Sequence, residues 1–338
     1  MKILVVRVSS MGDVIHTIPM VNEIRRHFPD AVIDWVVEEA YVSLVRLSAQ
    51  VRKVLPLALR RWRKRLWSKA TRAEIAAFVA ELRSESYDLV FDPQGLFKTG
   101  AVMGLARLAP GGQKVGLANA TDGSGYEAIS RLFHSISVPV GRQTHAVLRA
   151  RQLAAAGLVY AVDGPAQFDL RLPHMALLQW QPKLPYAVFF HATARAEKRW
   201  AVANWVAVAQ ELERSAMPIL LPWGSADEQQ AAQQLAAQMP NAQVLPKLAM
   251  MEAVALAQGA SLAIGVDTGL THIAAAFNRP TIELYCDSPR WKTEGNWSPN
   301  IINLGDNGHP PSVPEVTAAI AALLAAVKPE IAHATADS

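Results

Sequence analysis

The stretch Lys2-Ile3-Leu4-Val5-Val6-Arg7-Val8-Ser9-Ser10-Met11-Gly12-Asp13-Val14 decides the fold. Its aliphatic run from Lys2 to Val8 reads as a strand, Gly12 permits a tight turn, and helical spacing takes over from Val14 to His27. Ala31 to Val37, Val51 to Leu57 and Tyr87 to Asp92 repeat the strand pattern. Between and after them, Thr71 to Arg83 and Leu96 to Leu108 read as helices. Thr71 is expected to cap the first of these, with Glu74 completing a capping box. This βαβα order predicts a parallel, doubly wound sheet.

Pro110 to Gly125, rich in Gly, Asn and Asp, reads as a mobile loop, and Thr144 to Gly157 as a helix. Periodicity weakens among prolines between Leu158 and Pro185. A second α/β series then begins, with strands at Tyr186 to His191, Pro218 to Pro222, Ala242 to Leu245, Leu262 to Val266 and Thr281 to Tyr285. Helices are expected at Val202 to Arg214, Asp227 to Met239, Met251 to Gln258 and Leu270 to Phe277. The reading is thus α/β, with two Rossmann-like domains, 1–165 and 166–314, facing a central cleft. Residues 315–338 are expected to form a helix to Val327, packing back toward the N-terminal domain, and then a frayed tail. Ligands in such sheets sit beyond the carboxyl ends of the strands.

A chain of 338 residues, 51% apolar and 18% charged, is too apolar for disorder. The apolar run Ala318 to Val327 is shorter than the roughly 20 residues that span a bilayer. No signal-peptide pattern follows Lys2, and the lone Cys286 forms no internal disulfide, so a cytoplasmic location is expected. Net charge is +4, yet Arg52 to Arg72 holds nine basic residues and no acid, leaving +4 − 9 = −5 for the rest. Within it, Arg60-Arg61-Trp62-Arg63-Lys64-Arg65-Leu66-Trp67 interleaves cations and aromatics. That suits a surface for phosphates, carboxylates or an anionic membrane, or else a solvated helix face with Trp62 and Trp67 packed inward. No nucleic-acid signature accompanies it, and no nucleic-acid partner is expected.

Three strand-to-helix turns carry chemistry. Asp13, at the end of the first strand, either caps its helix or takes a proton from an incoming hydroxyl. His16, one turn on, reads as a packing residue. In Val266-Asp267-Thr268-Gly269-Leu270-Thr271-His272, Thr268 and Gly269 would present backbone N–H groups to phosphate, which leaves Asp267 to sugar hydroxyls. In His191-Ala192-Thr193-Ala194-Arg195-Ala196-Glu197-Lys198, Thr193 would donate to a phosphate and Lys198 would neutralise a diphosphate leaving group. Glu228 is offered to a ribose diol. There is no Gly-Lys-Ser/Thr phosphate loop, no Gly-x-Ser-x-Gly elbow and no Asp-x-Asp metal motif, which favours group transfer without a metal or other cofactor.

Together these segments resemble glycosyltransferase family 9, the ADP-heptose:lipopolysaccharide heptosyltransferases, over essentially the whole chain. Also in the family's order are Asp92-Pro93-Gln94-Gly95-Leu96-Phe97-Lys98-Thr99 and Leu221-Pro222-Trp223-Gly224. Ser9-Ser10-Met11-Gly12-Asp13 and Arg60-Arg61-Trp62-Arg63-Lys64 look like its heptosyltransferase I branch. The resemblance implies a GT-B fold, an ADP-L-glycero-D-manno-heptose donor, and a Kdo2-lipid A acceptor at the cytoplasmic face of the inner membrane, to whose anionic surface the chain would bind peripherally. It implies transfer with inversion and no metal. Asp13 would be the base and Lys198 would stabilise departing ADP. Thr193, Ala194, Thr268, Gly269, Leu270 and His272 would surround the diphosphate and sugar, with Asp267 on heptose, Glu228 on ribose and Leu248 over adenine. Ser10, Arg60, Arg61, Arg63 and Lys64 would hold the acceptor. Ala194 departs from the threonine often found there.

Three other readings use parts of the same pattern. One is another family 9 heptosyltransferase with a later core acceptor. A same-fold nucleotide-sugar epimerase would need no basic aromatic patch, and a non-catalytic lipopolysaccharide-binding protein would need no Asp13 and Lys198.

Overall fold

The computed structural model describes residues 1–173, 180, 182, 185–193, 195–214 and 217–334, with side chains up to 326. It divides into two units, Met1–Arg171 and Leu172–Ser338.

In the first unit the elements run β1 (Lys2–Val6), α1 (Met11–His27), β2 (Val32–Glu38), α2 (Val42–Val45), β3 (Val51–Leu57), α3 (Leu59–Trp62) and α4 (Lys69–Leu82). They continue with β4 (Ser86–Asp92), α5 (Phe97–Leu105), β5 (Arg107–Leu117), β6 (Ile136–Val138) and α6 (Ala146–Leu158). The strands form one parallel sheet in the order β3-β2-β1-β4-β5-β6. One face of it, through Leu4, Val6, Val36, Leu55 and Val90, packs against Trp62, Phe78, Leu82 and Met103. Burying such side chains contributes roughly 1.5–3 kcal/mol each.

Three local expectations are corrected. Residues 107–117, mostly assigned to a loop, are a strand. Its Gly112 lies so close to β4 that a Cβ there would stand 2.7 Å from the Tyr87 carbonyl oxygen, beside a register shift between Tyr87 and Leu89. A glycine-built bulge has the composition of a loop. The cap of α4 is Ser68, whose hydroxyl accepts from the Thr71 N–H at 3.3 Å. Glu74 instead accepts from Trp62 Nε1 at 2.8 Å. Of the two tryptophans, Trp62 packs inward edge-on to Phe78, whereas Trp67 is 92% exposed.

The unit boundary falls after Arg171, not at 165/166. Asn22 Nδ2 donates to the carbonyls of Gln167 and Phe168, and the Arg171 N–H donates to Leu47 O at 2.8 Å, which ties 167–171 to the first unit.

The second unit contains β7 (Ala187–Phe190), α7 (Val202–Glu213), β8 (Ile219–Leu221), α8 (Ala226–Ala236), β9 (Ala242–Val244) and α9 (Met250–Gly259). Then come β10 (Leu262–Val266), α10 (Gly269–Ala276), β11 (Thr281–Tyr285), β12 (Ile301–Gly305) and α11 (Val313–Ala334). Its parallel order is β12-β11-β10-β7-β8-β9. Strand β12 has no clear signature in the sequence, because Asn303 and the flanking Ser298-Pro299-Asn300 mask its short apolar pattern. Val316, Ala319, Ile320 and Leu323 of α11 are buried in this unit's own core. The helix continues past Val327 to Ala334, where a frayed tail was expected, and residues 335–338 lie outside the described residues. Among the described residues, no helix is long and apolar enough to cross a membrane.

The two units are wound alike. In each, the first strand lies beside the fourth, β1 beside β4 and β7 beside β10, so the strand order reverses at that point. Such switch points open a crevice at the carboxyl ends of the two strands.

Candidate active site

In the first unit both strands of the switch point end in polar residues. Asp13 stands in the first turn of α1. Its Oδ2 accepts from the Ser10 N–H at 3.0 Å and the Ser10 hydroxyl at 2.9 Å, and its Oδ1 pairs with the buried Arg7 guanidinium. Burial alone would raise its pKa. Arg7 and the two Ser10 hydrogen bonds outweigh burial and hold the carboxyl well below the usual range. The Asp13 side chain remains 36% exposed. It is therefore an accessible, ionised carboxylate that also completes the capping box of α1 with Ser10.

The loop after β4 comes to the same place. Asp92 Oδ1 accepts from the N–H groups of Gln94 and Gly95, and its Oδ2 from the Thr99 hydroxyl. Burial pushes this carboxyl up to about 6 against those bonds. The turn so fixed places Lys98 Nζ 2.9 Å from Ser9 Oγ and Gln94 Oε1 3.0 Å from the Val8 N–H. Buried Arg149 donates to Thr121 Oγ1 at 2.7 Å and contributes a further cation near Arg7 and Asp13.

The basic run is not uniform. Arg61 is held by both Glu39 and Glu74, and Arg60 donates to the Tyr41 hydroxyl and lies over its ring. Arg63 and Lys64 are exposed, and among the described residues neither has an ion-pair partner. Acids that the run lacks in sequence are supplied in space to Arg61, as they are to Arg52 by Asp34 and Glu85 and to Lys53 by Glu81. His16 is buried, as a packing residue would be.

In the second unit the turn after β10 and the loop after β7 converge. Lys198 Nζ pairs with Asp267 Oδ2, while Asp267 Oδ1 faces His272 Nε2 at 3.0 Å and Thr293 Oγ1 at 3.3 Å. His272 Nδ1 meets Glu283 Oε1 at 2.8 Å, and Glu283 Oε2 accepts from the Tyr285 hydroxyl and the Gly295 N–H. Burial would lower the His272 pKa, but Glu283 and Asp267 raise it to about 10, so the imidazole is a cation between two carboxylates. Burial raises and these cations lower the Asp267 carboxyl, leaving it far below its usual range. Thr268 caps α10, whose first N–H groups have no intrahelical acceptor. Gly265 permits this turn, since a Cβ there would lie 2.1 Å from Thr271 Oγ1.

Thr193 is buried beside this cluster in sequence, directly after β7. Ala194 lies outside the described residues. Glu228 completes a capping box with Ser225, its Oε2 accepting from the Gly224 N–H at 2.7 Å and the Ser225 N–H at 3.2 Å. Leu248 is half-buried in the loop before α9. One group of three possible metal donors occurs among the described residues, Glu23, His27 and Asp163. Its carboxylates already pair with Arg26 and Arg151, and none is an expected site residue.

A sequence profile of glycosyltransferase family 9 (heptosyltransferase) matches residues 75–319. The chain belongs to glycosyltransferase family 9. This heptosyltransferase is 38% identical over 285 residues to lipopolysaccharide heptosyltransferase 1 of Pseudomonas aeruginosa, covering 84% of this chain and 78% of that protein. The protein of that name from Escherichia coli K12 is also 38% identical, with 84% and 88% covered. Its fold matches E. coli heptosyltransferase WaaC with ADP at a TM-score of 0.83, with 32% identity over 96% of this chain and 100% of that one. The two doubly wound units are those of the GT-B class.

The heptosyltransferase places four residues in these clusters that the sequence reading passed over: Arg7, Lys98, Arg149 and Glu283. Glu283 carried a signal, a carboxylate inside the otherwise apolar strand Thr281-Ile282-Glu283-Leu284-Tyr285, because acids are rarely fully buried unless paired. Arg7 carried the same signal at the end of β1.

Proposed function

We propose that the enzyme transfers L-glycero-D-manno-heptose from its ADP-activated form to the Kdo of Kdo2-lipid A, with inversion and without a metal. The acceptor hydroxyl gives its proton to Asp13 as its oxygen attacks the anomeric carbon. The bond from that carbon to the diphosphate breaks, and ADP departs with the bonding pair. Lys198 and the N-terminus of α10 offset its charge, and Thr193, Thr268, Gly269, Leu270 and His272 surround it. For Lys198 to do so it must exchange its Asp267 partner for phosphate, which frees Asp267 for heptose hydroxyls. In this reading Leu248 covers adenine and Glu228 binds the ribose, while Ser10, Arg60, Arg63 and Lys64 face the acceptor and Arg61 mainly fixes the patch.

The observation that carries this reading is an ionised, accessible Asp13 at one switch point and a Lys198–Asp267–His272 cluster beside a helix N-terminus at the other. The same reading puts the enzyme at the cytoplasmic face of the inner membrane, held by its cationic run. Incubation with ADP-heptose and Kdo2-lipid A tests it. Release of one ADP per heptose added to the lipid, with an inverted linkage by NMR, is expected. ADP-heptose left unconsumed, or isomerised, would overturn it.

A further inference from the structure

A groove of about 660 Å³ opens on the first unit between β3–α3 and α5, lined by Leu57, Leu59, Leu96, Phe97, Ala101, Val102 and Leu105. Its volume lies within the roughly 300–1,000 Å³ of small-molecule sites. Phe97, Ala101 and Leu105 follow i, i+4, i+8 spacing, so α5 presents an apolar stripe to it. Gly100 and Gly104 seat the Phe133 ring against another side of the helix. Such a stripe is ordinarily covered, yet Phe97 is 50% and Leu105 44% exposed. The rim is polar. It holds Arg63, Lys98 and Glu127, and Glu127 is engaged by the Phe97 N–H at 2.6 Å. The apolar surface extends along the chain from Arg63 to exposed Leu66 and Trp67. From α5 it extends to the turn that packs on it, where Ile129 and Leu132 are exposed.

From this we propose that the groove seats an acyl chain of the acceptor glycolipid. The assignment rests on the reading of the acceptor given above. Two observations favour the acceptor's own chain over bulk lipid. The groove's cation Lys98 also donates to Ser9, next to the Ser10 that holds Asp13, so the groove's rim is hydrogen-bonded to the loop where the proposed base stands. The cation Arg63, which has no ion-pair partner among the described residues, matches the phosphate that sits between sugar and acyl chains in such a lipid. The groove thus reads hydrocarbon while the loop reads the sugar.

The test compares steady-state kinetics of the full chain on detergent-dispersed acylated Kdo2-lipid A and on its fully deacylated form. Phe97→Ser with Leu105→Ser, both at exposed positions, removes the apolar walls. Ala101→Trp fills the groove and serves as the second variant, and thermal melts confirm folding of each. The expected result is a rise of about tenfold or more in KM for the acylated acceptor, with KM for the deacylated acceptor and for ADP-heptose unchanged. Equal change with both acceptors, or no change with either, would overturn the acyl assignment. So would loss of binding to phosphatidylglycerol vesicles that contain no acceptor, if acylated-acceptor KM in detergent stays at the wild-type value, since the groove would then be a bilayer contact. If the wild-type enzyme glycosylates neither acceptor, the proposed acceptor itself falls, and the groove assignment with it.

Discussion

Asp13 completes the capping box of α1 and is proposed as the base. Its pairing with Arg7 and Ser10 keeps it ionised, so any acid limb it imposes on the pH–rate profile lies below its ordinary 3.8, and activity from pH 5 to 8 owes no slope to this group. Asp13→Asn, nearly the same shape, should lower turnover by at least about 100-fold with donor KM unchanged; near-wild-type turnover would remove it from the reaction. His272 makes the opposite kind of prediction. Its pKa is raised from 6.5 to about 10, so its stabilisation is complete below pH 6.5 and is lost as pH rises toward 10. Urea melts across that interval should show falling stability, and His272→Gln should flatten the fall. Asp13 and Lys198 were singled out in the sequence because both stand between a strand and the next helix, where Rossmann-like sheets place their ligands. Arg7 and Glu283 stood out only as charges beside or within apolar strands, and each acquires its role only from partners on other elements.

At the level of the element, the turn between β10 and α10 depends on close approach. Gly265→Ala would bring a Cβ to 2.1 Å from Thr271 Oγ1 and 2.8 Å from Phe190 Cβ. Overpacking of that kind costs about 1–3 kcal/mol, and a weakened affinity for ADP should accompany the lower Tm. The α3 segment separates two kinds of cation. Arg61→Ala should lower stability and spare both KM values, because its guanidinium is spent on Glu39 and Glu74. Arg63→Ser with Lys64→Ser should raise acceptor KM alone, by an amount that shrinks as salt rises. Equal effects of the two variants would dissolve the distinction. Regular strands such as Val51 to Leu57 and Leu262 to Val266 were read to the residue from aliphatic content. β5 was missed because its bulge is built from Pro110, Gly111 and Gly112, and the α4 cap was displaced because Glu74 fits a capping-box spacing while serving Trp62.

For the molecule as a whole, each unit has its own core and its own switch point, and the proposed reading gives the two substrates to different units. ADP at about 100 times its Kd stabilises whatever binds it by roughly 2.7 kcal/mol. Hydrogen exchange should show that protection in residues 185–305 and leave the β1–β4 region of the first unit unchanged; protection centred on the Asp13 loop would invert the assignment of substrates to units. The matched strand orders have an evolutionary corollary as well. If donor and acceptor are recognised on separate, similarly wound scaffolds as proposed, one half is free to diversify while the other stays fixed. New core sugars could then be elaborated by drift in residues 1–171 alone, and grafting that half from a relative with a different acceptor would transplant acceptor choice while the nucleotide preference stayed behind.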